Sequence, residues 1–157
     1  MTNDNRAIDV RQAGANEAPS SRNLPRSIGA VLAGLVAVVL LSVGTDSILH
    51  ATKIYPLWGE RMSDGLFLLA TAYRIIYAIA GSYIAAKLAP GKPFKHALML
   101  GVIGFVLSIA GALAALSAGP ELGPLWYPLA LVVTALPCAW VGGRLAVDPT
   151  RSNSTPY

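Results

Sequence analysis

Residues 64–88 read DGLFLLATAYRIIYAIAGSYIAAKL. Between Asp64 and Lys87 the only full charge is Arg74, close to the middle of the run. About 20 residues at roughly 1.5 Å rise per residue cover a hydrocarbon core about 30 Å thick, so this stretch is long enough to span a bilayer as a helix. An arginine at that depth costs about 2.5–3.5 kcal/mol on insertion scales and calls for a partner. The rest of the chain is therefore expected to supply helices that surround this one and a group that meets Arg74.

Composition supports a membrane setting. Of the 157 residues, 54% are hydrophobic and 13% are charged, against about 25% charged in an average soluble domain. The charges are clustered, which leaves further long apolar runs. The net charge of +4 would point to nucleic acid in a soluble protein. Here Lys and Arg flank the apolar runs, so membrane topology accounts for them, and nucleic acid is not an expected partner. The one cysteine, Cys138, sits in an apolar run and has no second thiol with which to form a disulfide or a Cys-x-x-Cys pair.

Taken in order, residues 1–26 are polar and lack helical periodicity, which reads as a disordered tail. The first span is placed at about 27–49 and is read as retained, because its apolar run is too long for a signal-peptide core and no clear cleavage site follows. Gly29, Ala33 and Ala37 recur four apart and are expected to allow close helix approach. Ser42, Asp46 and His50 are also four apart and form a polar stripe at the far end of that helix. In the following loop, Tyr55 and Trp58 suit the headgroup level. Ser63 or Asp64 is the expected cap of the second span, 64–88.

A Gly/Pro turn with Lys92 and Lys95 leads to a third span at about 96–117, in which Gly101, Gly104, Ser108 and Gly111 make one nearly flat face for packing. The fourth span, about 125–147, carries Pro128 in an early turn and Pro137 in its interior. Pro137 is expected to kink the helix, with Thr134 helping to satisfy the freed backbone. Residues 148–157 form a polar tail. The expected fold is an all-α, integral-membrane four-helix bundle.

Charge asymmetry sets the expected orientation. Arg6, Arg11, Arg22 and Arg26 precede the first span, Lys87, Lys92 and Lys95 flank the second connection, and Arg144 and Arg151 follow the last span. The opposite side has only Lys53 and Arg61. The positive-inside rule then places both termini in the cytoplasm. The segments Tyr83–Ala89 and Trp140–Ala146 share the order aromatic, β-branched, two small, basic, Leu, Ala, and Gly34, Ala37, Leu41 and Gly44 are spaced like Gly101, Gly104, Ser108 and Gly111. Two parallel helical hairpins related by a pseudo-twofold axis along the membrane normal would produce such a pattern, although Gly, Ala and Leu are common in all membrane helices.

Asp46 and Arg74 are the candidate site. If the first two helices are antiparallel neighbours, the two residues reach similar depth and form an ion pair, with Ser42, His50 and Tyr77 as supporting polar residues. Such a pair either locks two helices together or marks a water-accessible ion site. The other reading is that Arg74 snorkels to the surface or meets Asp64 or Glu60. Tyr73 and Tyr77 are expected to fill the bundle and hydrogen-bond within it. His50 and His96 lie at opposite membrane faces, so neither metal nor haem is expected. There is no Walker loop, Gly-x-Ser-x-Gly or His-Glu-x-x-His motif, and neither an enzyme nor a cofactor is expected.

The segments GTDSIL (44–49), SDGLFLLATAYRIIY (63–77), LAPGKPFKHALMLG (88–101) and GPLWYP (123–128) resemble uncharacterised small four-span bacterial inner-membrane proteins. The resemblance covers most of residues 27–147. It implies a location, the bacterial inner membrane, and an architecture, but no activity. Small multidrug transporters are also four-span, but they use a glutamate in mid-membrane in the first span, and this first span has none. Two functional classes remain. One is a non-enzymatic accessory or structural protein whose partners are the lipid bilayer and itself or another membrane protein. The other is a small oligomeric transporter or channel that uses Asp46 and Arg74.

Overall fold

The computed structural model describes residues 23–57, 59–118 and 123–147. The Trp58 headgroup assignment and the two terminal tails, apart from residues 23–26, lie outside them. Four helices follow one another: α1 (Asn23–Ala51), α2 (Asp64–Leu88), α3 (Pro93–Ala118) and α4 (Trp126–Ala146). No strand occurs among the described residues. All four helices are long and apolar enough to cross a membrane. The first begins at Asn23, before the expected start, and takes residues 23–26 into its first turns. Pro25 is tolerated there because the first N–H groups of a helix have no partner within it.

The bundle is built on small side chains. Its buried positions include Ala30, Ala85, Ala86, Ala97, Ala139 and Ala146. Large aliphatic residues such as Leu32, Val36 and Leu40 of α1 and Val102, Val106 and Leu113 of α3 are exposed around the outside. In water that distribution would leave large apolar patches uncovered. In lipid the outside is solvated by acyl chains, and association depends on close van der Waals approach, which small residues permit.

The helices pack in the order α1, α2, α4, α3. α2 also meets α3, less extensively than these pairs, α1 touches α3 lightly, and α1 and α4 do not meet. One end of the bundle, at the 89–92 turn, is tight. There Val31, Ala85 and Leu100 form one cluster with Leu35 against it, and Ala86, Ala97 and Ala146 form another. Gly34 and Gly81 meet backbone to backbone: a Cβ on Gly34 would lie 2.5 Å from the Gly81 carbonyl oxygen. Gly142 presses on the Ile79 carbonyl in the same way, and Gly101 on the Ala139 methyl.

The close approach in α1 therefore falls on Gly34 rather than on the Gly29 stripe, since a Cβ on Gly29 would meet nothing within 4 Å. α3 is also flat over less of its length than its glycine spacing predicts. Gly101 is in contact, while Gly104 and Gly111 look into open space. The bundle thus loosens toward the opposite end, which carries Tyr55, Tyr73, Tyr77 and Tyr127.

Ser63 stands at the N-cap of α2 but makes no side-chain cap bond, and Asp64 occupies the first turn. α4 runs as one helix through Pro137. The Thr134 hydroxyl donates to the Ala130 carbonyl at 2.7 Å, one turn back, and so does not serve Val133, whose carbonyl loses its usual donor at Pro137.

These contacts predict unequal costs for adding side chains to glycines. Gly81→Val, whose new methyls would run into Val38 and Gly34, should lower stability by about 1–3 kcal/mol. Gly104→Ala should be neutral or stabilising, because its methyl enters open space and alanine favours the helix. Thermal unfolding in mild detergent would rank the two.

Candidate functional site

Arg74 lies ten residues after the start of α2, about 15 Å along the axis at 1.5 Å per residue. Its Nη2 donates to Asp46 Oδ2 at 2.8 Å, joining α2 to α1. The neighbouring Tyr73 hydroxyl donates to the other carboxylate oxygen, Oδ1. Both oxygens of Asp46 are therefore engaged, and its side chain is 20% exposed. Hydrogen bonds to ionised groups are roughly twice as strong as neutral ones.

The polar contacts continue outward from the pair. Tyr55 and Tyr73 have their hydroxyl oxygens 3.3 Å apart. Since the Tyr73 proton points to Asp46, the Tyr55 hydroxyl is the donor between them. This places Tyr55 inside the bundle, 4% exposed, and corrects its expected place among the headgroups. The backbone explains how it gets there. α1 ends in a left-handed residue, Lys53, with φ of 60°, and the N–H groups of Ile54 and Tyr55 turn back to the Leu49 carbonyl. That fold returns the chain over the end of the bundle instead of letting it run out into the interface.

Each supporting residue has a definite place. Tyr77 pairs with Thr45 at 2.8 Å and not with Asp46, adding a second polar link between α1 and α2. His50 Nδ1 meets the Pro56 carbonyl at 2.8 Å. A carbonyl only accepts, so Nδ1 carries the hydrogen. The His50 ring stands edge-on to Tyr55, with centroids 5.3 Å apart, and so braces the returning loop. Ser42 is one turn from Asp46 and lines a cavity near Arg74.

Arg74 is less completely matched than Asp46. Its Nε is buried with no hydrogen-bond partner among the described residues, while Asp46 accepts from Nη2 and the Tyr73 hydroxyl stands beside the guanidinium. The cation lies over the Tyr127 ring, 5.8 Å from its centroid, a favourable placement against the negative face of the ring. Tyr127 in turn packs against Phe67, with centroids 5.0 Å apart.

Two cavities meet at Arg74. The mid-bundle cavity, about 190 Å³, is bordered by Ser42, Ser82, Ser108 and Thr134 among others. The larger one, about 380 Å³, lies toward the tyrosine end between α2, α3 and α4, with walls that include Phe67, Leu107, Gly111, Leu125 and Tyr127. Arg74, Ser108 and Leu131 border both. The two glycines of α3 that contact nothing, Gly104 and Gly111, are what leave this space.

Tyr73 hydrogen-bonds within the bundle as expected, but its bond to Asp46 and the part played by Tyr55 were not legible in the sequence. Tyr73 is adjacent to Arg74 in sequence, but its direction depends on the rotation of α2 against α1. Tyr55 sits in an irregular loop with no periodicity to read. The remaining candidates for chemistry are dispersed. His96 is 8% exposed and bonded to the Lys92 carbonyl at 2.9 Å. Cys138 is buried in α4. No cluster of three His, Cys, Asp or Glu side chains able to hold a metal occurs among the described residues. Comparison of the chain with protein-family models, with curated proteins and with solved structures found no significant match.

The two tyrosine hydroxyls should differ in weight. Tyr73→Phe removes a donor from a carboxylate between two helices and should cost about 1–2 kcal/mol. That is above the average of about 0.6 kcal/mol for interhelical hydrogen bonds in membranes and near their upper end of about 1.7 kcal/mol. Tyr77→Phe removes a neutral bond and should cost about 0.5 kcal/mol. Equal losses in parallel thermal melts would show that the Tyr73 bond to Asp46 carries no special weight.

Proposed function

We propose that this chain is a non-enzymatic multi-pass membrane protein with an accessory or structural role, in which the Asp46–Arg74 pair fastens α1 to α2. The observation that carries this reading is the engagement of both Asp46 oxygens, one by Tyr73 and one by Arg74. A carboxylate held in this way favours fixed packing over the repeated protonation or ion exchange of a transport cycle. The second reading, a small oligomeric transporter or channel, is favoured by one observation, the meeting of two cavities at Arg74. Four helices leave little room for alternating access within one chain, so that reading requires at least a dimer.

The setting proposed with this role is the bacterial inner membrane, with both termini cytoplasmic. It rests on the distribution of Lys and Arg and on the resemblance described above. We also propose that the two hairpins arose by duplication. The close contacts of Gly34 with Gly81 and of Gly101 with Ala139 fall at nearly corresponding places in the two halves. Any twofold relation is imperfect, because the approach of α2 to α3 has no counterpart between α4 and α1.

A charge-swap cycle tests the fastening role. Asp46→Arg and Arg74→Asp should each collapse the folded yield in mild detergent, and the double variant should restore much of it, since coupled residues show non-additive costs. Tolerance of Asp46→Arg alone would overturn the reading. Purified protein reconstituted into liposomes should remain monomeric and carry no ion or solute flux. Flux that requires an oligomer would establish the transporter instead. For orientation, a reporter inserted after Lys92 should read as cytoplasmic and one after Pro56 as external; the reverse would invert the topology.

A further inference from the structure

The guanidinium of Arg74 has five N–H donors in a planar fork. One of its nitrogens is bonded to Asp46 Oδ2. Nε is buried and unpartnered, and beyond Asp46 only the Tyr73 hydroxyl stands beside the group as an acceptor among the described residues. A buried donor without a partner is costly, more so on a charged group. Nε itself has no surface on a cavity, but the rest of the Arg74 side chain, 32% exposed, borders one of about 380 Å³ whose walls are mainly aromatic and aliphatic: Phe67, Leu107, Leu125, Tyr127 and Leu131. About 150 Å³ suffices for a benzene ring, so one ring with a short substituent fits.

The chemistry of the occupant follows from the charges. Asp46 already neutralises Arg74, so an anion entering this apolar space would leave a net buried negative charge, which is expensive at low dielectric. A pure hydrocarbon would fill the volume and leave the N–H groups unmet. We infer that the tyrosine-end cavity is a binding site for a small, uncharged, largely apolar molecule bearing a carbonyl oxygen, which accepts from Arg74 while its apolar body packs against Phe67 and Tyr127. Such molecules partition readily into bilayers, so the ligand reaches the site from the membrane phase. This goes beyond the fastening role and does not depend on it, because the ion pair can hold the helices with the cavity filled or empty.

The direct substitution, Arg74→Ala, strands Asp46 and endangers folding, so the test rests on cavity-filling variants. Gly111→Leu and Ala115→Leu both project into this cavity from α3, and a Cβ on Gly111 meets nothing within 4 Å. The full chain is placed in lipid nanodiscs and titrated with 4-fluoroacetophenone, followed by fluorine NMR with empty nanodiscs as the baseline. Two analogues of similar shape are run beside it: 4-fluoroethylbenzene, which has no acceptor, and 4-fluorobenzoate, which is charged.

The ketone should bind saturably and at least tenfold more tightly than the hydrocarbon. The Leu variants should weaken it at least tenfold while keeping or raising the melting temperature. Absence of saturable ketone binding would overturn the proposal. So would equal affinity for ketone and hydrocarbon, or binding untouched by either Leu variant. Tighter binding of the benzoate than of the ketone would also overturn it, in favour of an anion site. None of these results depends on the outcome of the charge-swap cycle, so the two readings fail separately.

Discussion

An arginine placed 15 Å along a membrane helix sets the terms for everything around it. Lipid offers no water shell and no counter-charge, so the guanidinium must find an acceptor in the protein or leave for the surface. Asp46 provides it at 2.8 Å. That contact sets both the depth and the rotation of α1 against α2, and the Tyr73–Asp46 and Thr45–Tyr77 bonds add to the same alignment. α2 is also the helix that packs on α4 and approaches α3. The strand of contacts that begins at Arg74 therefore runs through the element on which the other three are arranged.

The two ends of the bundle solve different problems. At the 89–92 end no ionised group is buried among the described residues, and the helices close on one another through Gly34, Gly81, Gly101, Gly142 and a set of alanines. At the tyrosine end, leucines packed over Arg74 would seal its remaining N–H groups away from any acceptor. The missing side chains of Gly104 and Gly111 leave space there instead, and the cavities fall where the polar groups are. Loose packing in a protein interior forfeits dispersion energy, so the location of the space beside the Asp46–Arg74 pair is a physical compromise between packing and hydrogen bonding.

The four helices were readable in the sequence because bilayer thickness imposes a length and an apolar composition that few other structures share. Asp46 and Arg74 stood out because they are ionised residues within otherwise apolar runs, and antiparallel neighbours bring them to similar depth. Finer features were beyond reach for definite reasons. Small residues occur on more than one face of α1, so the spacing of Gly29, Ala33 and Ala37 pointed to a stripe when the contact is made at Gly34. Gly101, Gly104 and Gly111 share one spacing, yet only the first is covered, because the divergence of α3 from its neighbours is a property of the whole bundle. The burial of Tyr55 depends on the left-handed turn at Lys53, a conformation that no composition rule assigns to a lysine. Thr134 bonds to Ala130 because its own helical turn places that carbonyl nearest, whatever happens at Pro137.

The two charged partners lie in consecutive helices joined by the connection 52–63. This bears on how the chain enters the membrane. Inserted singly, α2 would carry an uncompensated arginine into the bilayer. Inserted together with α1 as a hairpin, it brings its counter-charge with it, and the unit that crosses is electrically neutral. α1 and α2 are in contact, whereas α1 and α4 do not meet, so the first hairpin can settle its charges before the second half of the chain has been made. Electroneutrality during assembly is thus secured by neighbours in sequence, and the later helices add packing and the Tyr127 ring against the Arg74 cation.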